Sequence, residues 1–122
     1  MVKYIQQFMH MVLHGYNKTS VICTSSKLES ELIEDLLTKQ RAWETLERTQ
    51  CGNRIDMSDQ LGNTIMIVHN VCGDDLRGHN IYAMISTYKL SDDVVLPFLH
   101  ASRGTYLYFD GNGKLLDMRN SC

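Results

Sequence analysis

Residues 26–52 carry helix punctuation around an amphipathic stripe and are followed by strand-like sequence, and this juxtaposition constrains the fold class more than any other feature. Ser26 stands where an N-cap hydroxyl is needed, and Glu29, three residues on, can reach back to the Ser26 amide as a capping box. Leu28, Leu32, Leu36, Trp43 and Leu46 recur at helical spacing, broken by one turn around Lys39 and Gln40, and predict the buried face. Glu29, Glu31, Glu34 and Asp35 precede Lys39, Arg41 and Arg48, the order that the helix dipole favours. Gly52 supplies the stop, since it can take the left-handed conformation that follows a helix C-terminus.

Upstream, Val2, Ile5, Phe8, Met9 and Val12 share one helical stripe, and Gly15 ends it, which predicts a first helix over 2–14. Residues 21–24 read as a short strand or as an extended lead-in to the capping box. Residues 54–62 read as a connection with room for a short edge strand around Ile55 and Met57. Over 64–72, Ile65, Ile67 and Val71 alternate with Met66, Val68 and Cys72, a strand with two apolar faces. A turn over 73–78 and a strand over 79–90 complete an expected hairpin. Ser91, Asp92 and Asp93 resemble a helix start, whereas Val94, Val95, Pro97 and Phe98 suit an edge strand equally well. Residues 105–110 and 114–118 read as a hairpin closed by Gly111, Asn112 and Gly113.

The expected fold is a single α+β domain over 1–122, with two N-terminal helices packed on an antiparallel sheet of four to five strands. An antiparallel sheet needs only one covered face, yet the strands at 64–72 and 79–90 are apolar on both. Either the first helix or another protein must cover the second face, which motivates the expectation of a homodimer.

At 122 residues and 43% hydrophobic content the chain can bury one ordinary core. Its net charge of −2 carries no phosphate-binding footprint, which weighs against nucleic acid. The segment 1–13 interleaves Lys3, Gln6, Gln7 and His10 with its apolar residues, so it reads neither as a secretion leader nor as a membrane span. The four cysteines are therefore expected as free thiols in a reducing cytoplasm.

Several constellations invite chemistry. His10 and His14, four apart on a predicted helix, point to one side as zinc ligands do, but Met11 stands where a catalytic glutamate would follow the first histidine. His69, Cys72, Asp74, Asp75 and His79 gather around one predicted turn, although strand alternation sends His69 and Cys72 to opposite faces. Asp110, Asn112 and Lys114 begin like a calcium loop, and Lys114 breaks it where an oxygen ligand is required. Tyr106 and Tyr108 share a strand face without basic companions, and no glycine-rich phosphate loop opens a helix. Glu29, Glu31, Glu34 and Asp35 could steer a basic protein partner or simply solvate a helix face.

With no catalytic constellation, the expectation is a non-catalytic protein–protein interaction module of the adaptor, inhibitor or immunity kind, needing no cofactor. Two alternatives stay open. One is an enzyme or a ligand- or metal-binding domain with a Cys/His site near residues 69–79, or at the His10 and His14 pair; the other binds nucleic acid through the tyrosine-bearing strands.

Overall fold

The sequence Thr19–Thr24, buried from Ser20 onward, forms the central strand of the protein in a computed structural model that describes residues 17–39, 43–48, 53–71, 76, 80–102 and 104–120. In chain order the elements are β1 (Thr19–Thr24), α1 (Lys27–Lys39), β2 (Glu44–Arg48), β3 (Arg54–Ser58), β4 (Thr64–His69), β5 (Ala83–Ser86), α2 (Asp92–Ser102), β6 (Thr105–Phe109) and β7 (Leu115–Asn120). The strands make one seven-stranded sheet in the order β2-β3-β4-β1-β5-β6-β7. β1 runs parallel to both β4 and β5, and β5 parallel to β6; the outer pairs β2-β3, β3-β4 and β6-β7 are antiparallel.

This corrects the expected fold class. The described residues hold two helices and a mixed sheet, not two leading helices over an antiparallel one. Two-faced apolar strands are what parallel strands look like when helices cover both faces. Ile22, Ile65, Ile67 and Ile85 pack on one face with Ile33 and Leu37 of α1. Val21, Cys23, Met66 and Met84 pack on the other with Val94, Val95, Phe98 and Leu99 of α2. The bare second face that motivated a homodimer is therefore covered by this chain. The expected hairpin of residues 64–72 with 79–90 is also absent, because β1 lies between β4 and β5 and is parallel to both. The expected first helix over 2–14 lies outside the described residues.

α1 begins as its capping residues require but ends at Lys39, and the stretch expected to continue it is strand β2. Its inward face also matches the expected stripe only in part. Ser30, Ile33, Glu34 and Leu37 are buried and Leu36 packs partly buried beside them, while Leu28 and Leu32 are exposed; beyond the helix, Trp43 of the expected stripe is buried in the same core and Leu46 is exposed. Two of the inward positions are polar, and each is bonded: Ser30 to Thr24 at 2.6 Å and Glu34 to Thr45 at 2.7 Å. Periodicity of apolar residues alone therefore misplaces the first two turns, at Leu28 and Leu32. Residues 91–100, ambiguous in sequence, fall mostly in α2, whose Val94, Val95, Phe98 and Leu99 form one buried stripe. The Ser91 carbonyl accepts the Val94 and Val95 amides at 3.1 Å each, and Asp92 and Asp93 meet the positive end of the helix.

The β3–β4 and β6–β7 turns repeat one local solution. Asp59 Oδ1 accepts the Leu61 and Asn63 amides at 2.9 Å, and Asp110 Oδ1 accepts those of Asn112 and Lys114 at 2.9 Å. The residue before the last is Gly62 in one and Gly113 in the other, with φ of 82° and 88°. Both outer strands are also bulged: β2 carries Leu46, and β7 carries Leu116, as an extra residue against its neighbour.

Candidate functional site

The four parallel strands end along one edge of the sheet at Thr24, His69, Ser86 and Phe109. From β1 the chain turns onto one face as α1; from its neighbour β5 it turns onto the opposite face as α2. The two exits diverge at the carboxyl ends of β1 and β5, where open α/β sheets form a crevice. This is the topological switch point at which open α/β sheets place their ligands.

Ser25 and Ser26 form the β1 side. Ser26 Oγ accepts the Glu29 amide at 3.1 Å, so the N-cap is made as its sequence demands. The returning half of the capping box is displaced by one residue, because the Glu29 carboxylate takes the Ser25 hydroxyl at 2.8 Å and the Ser25 amide at 3.4 Å. Its other oxygen accepts Thr87 Oγ1 at 3.2 Å, from the loop that follows β5. One carboxylate thus spans the crevice. Beneath it Thr24 Oγ1 donates to the Ser26 carbonyl at 3.2 Å and lies 2.6 Å from Ser30 Oγ.

The β5 side is wired with equal economy. Ser86 Oγ donates to the Tyr88 carbonyl at 2.8 Å, which commits its single proton. The 2.7 Å bond between Ser86 and Tyr106 is therefore donated by the Tyr106 phenol. Burial pushes the Tyr106 phenol above the ordinary tyrosine range, against the Ser86 and Leu90 hydrogen bonds, which pull the other way. Burial likewise holds Tyr88 well above that range, with Cys23, Tyr106 and Glu29 adding to it. Both phenols are neutral at physiological pH and hold the loop as hydrogen-bonding groups.

The site is rich in hydroxyls and carries a carboxylate where a helix N-terminus would otherwise attract an anion. A ligand here meets Glu29 as an acceptor, and a hydroxyl or amine donor complements it better than a phosphate.

The sequence-predicted residues scatter. Glu29 lies in the crevice, and Glu34 is buried against Thr45. Glu31 and Asp35 are exposed, and Asp35 pairs with Lys39 at 3.0 Å. The four acidic residues therefore do not form one patch. His69 ends β4 beside Thr24, and its buried Nδ1 has no hydrogen-bond partner among the described residues. His10, His14, Cys72, Asp74, Asp75 and His79 lie outside the described residues. No group of three or more His, Cys, Asp or Glu side chains among the described residues could hold a metal ion, and no described helix is long and apolar enough to cross a membrane. Cys23 is fully buried in the core under α2. Asp110 and Asn112 build the β6–β7 turn; Tyr106 belongs to the α2-side core, and Tyr108 packs against it.

Ser25, Ser86, Thr87 and Tyr88 escape a reading of the sequence alone. Each follows or ends an apolar strand, a signal that acquires meaning only once β1 and β5 are known to be parallel neighbours. Comparison with protein-family models, with curated proteins and with solved structures gave no match.

Proposed function

We propose that this chain is a binding domain for a small ligand bearing hydroxyl or amino donors, seated between the carboxyl ends of β1 and β5. The carrying observation is that the chain leaves the parallel neighbours β1 and β5 onto opposite faces of the sheet, with Glu29 of one exit bonded to Thr87 of the other. The ligand exchanges its own donors for those of Ser25 and Thr87 on the Glu29 carboxylate, and the bonds of Ser86 to the Tyr106 phenol and to the Tyr88 carbonyl keep the second loop in place while it does so. Amide NMR of the whole chain against a panel of polyols, amino acids and amines, with inorganic phosphate as the anionic comparison, tests this. The expected result is chemical-shift change at 25–29 and 86–88, weakened about tenfold or more by Glu29→Gln. Shifts confined to other regions, or a response to phosphate alone, would reject the reading.

A second reading, the protein–protein interaction module, is supported by a different observation. Leu28 is 66% and Leu32 46% exposed, one turn apart on the outer face of α1 beside Glu31 and Asp35. If that surface binds a protein, the Leu28→Ser/Leu32→Ser double variant loses the partner that the native chain retains in a direct binding measurement, at unchanged melting temperature.

A further inference from the structure

β7 is an outer strand: among the described residues it pairs with β6 alone. Its pairing register sets Met118 opposite Leu107 and Arg119 opposite Tyr106, and Asp117 opposite Tyr108. Leu107 belongs to the core under α1 and Tyr106 to the core under α2, so Met118 faces the α1 side, and Asp117 and Arg119 face the α2 side.

We propose that two copies of this chain join β7 to β7 in antiparallel register about a two-fold axis through Met118, perpendicular to the sheet. The strand's own sequence is self-complementary in that register. Asp117 falls opposite the partner's Arg119, and Arg119 opposite the partner's Asp117, on one face; Met118 meets the partner's Met118 on the other. Within one chain the Arg119 guanidinium already reaches Asp117 at 3.1 Å and Asp92 at 3.4 Å. Those contacts use one N–H of Nε and one of Nη1, which leaves donors of the five-donor fork for the partner's carboxylate. Met118 and Leu116 are each half exposed, an apolar pair that the two-fold would extend across the seam.

The opposite edge does not offer this. On β2 the extra residue Leu46 sits mid-strand and interrupts the ladder, whereas on β7 the extra residue Leu116 lies beside the turn and leaves residues 117–120 in regular register.

The association is small and so concentration-dependent, and it is read by analytical ultracentrifugation of the full chain from about 10 μM to about 1 mM. Asp117→Arg and Arg119→Asp each place like charges opposite one another and should weaken the dimer roughly tenfold or more, whereas the double reversal Asp117→Arg/Arg119→Asp restores complementary pairs and should recover it. Met118→Lys puts two like charges on the axis and should leave a monomer with an unchanged melting temperature, since the side chain is half exposed. A native chain that stays monomeric at the top of the range, a dimer that survives Met118→Lys, or single reversals that the double does not rescue would overturn the proposal.

Discussion

Gly104 lies in the turn from α2 into β6 and is buried, although its backbone is not in the left-handed region. A Cβ built there would stand 2.6 Å from the Ile81 carbonyl oxygen, 2.8 Å from the Tyr82 carbonyl oxygen and 2.8 Å from Phe98 Cζ. Two of these neighbours are main chain, at the entry to β5, and cannot rotate away. The Tyr82 carbonyl also accepts the Thr105 amide at 3.2 Å, so relief by moving it loosens the first bond of the β5–β6 ladder. The third neighbour is a core ring of α2, 3% exposed, with no space to retreat into. Overpacking of this kind costs about 1–3 kcal/mol, and the strained hydrogen bond about 1 kcal/mol more, so Gly104→Ala should destabilise by roughly 2–4 kcal/mol. In a chain of this size that lowers the melting temperature by roughly 10 °C. Urea unfolding followed by circular dichroism reads the loss as a lower midpoint at unchanged slope. Gly111 is the control, because it is exposed and a Cβ added there would meet nothing within 4 Å. Gly111→Ala should stay within about 0.5 kcal/mol of the native chain. A Gly104→Ala variant as stable as Gly111→Ala would refute the reasoning and mean that the α2–β6 turn shifts freely.

Two further outcomes are expected. Tyr88 and Tyr106 both have raised folded-state values above the ordinary 10.0, so below that pH folded and unfolded chains hold the same phenolic protons. Above it the unfolded chain releases protons that the folded chain keeps, so stability declines as pH rises further; Tyr88→Phe should flatten that decline in thermal melts taken across the alkaline range, and an equally steep decline would count against it. The phase of α1 is tested by pairs of truncations: Ile33→Ala and Leu37→Ala should each cost about 2–5 kcal/mol, whereas Leu28→Ala and Leu32→Ala should each cost under about 1 kcal/mol in the same urea series. Equal losses in the two pairs would place the leucine stripe inward after all.

What can be read from the sequence is local. The Ser26 cap, the two apolar faces of the strand that begins at Thr64, and the hairpin around Gly111 and Gly113 all depend on neighbours within a few residues, and each is present where expected. The failures are long-range or compensated. Residues 21–24 read equally as a short strand or a lead-in because so short a segment carries little periodicity; the strand is present, and its central place comes from pairing with segments 45 residues downstream and beyond. The inward face of α1 is hidden because Ser30 and Glu34 are buried through bonds to Thr24 and Thr45, partners that no helical periodicity reveals. Two-faced apolarity is legible in the residues, but it marks a parallel strand between two helices instead of the antiparallel pair, covered by a first helix or another protein, expected from it. The crevice cannot be found without that topology, since Ser25 and Thr87 become neighbours of Glu29 only when β1 and β5 lie side by side.

The central position of β1 also bears on how the chain reaches this state. Thr19–Thr24 is synthesised before both of its partners, since its two ladders form with Thr64–His69 and Ala83–Ser86. The hairpins β2–β3, β3–β4 and β6–β7 can close locally, whereas the strand that unites them waits for both flanks to be made. Until then a segment with apolar side chains on both faces and two open hydrogen-bonding edges has no shelter of its own. The middle of the finished sheet is thus the most vulnerable part of the nascent chain, and conditions that slow its later segments should favour aggregation over folding.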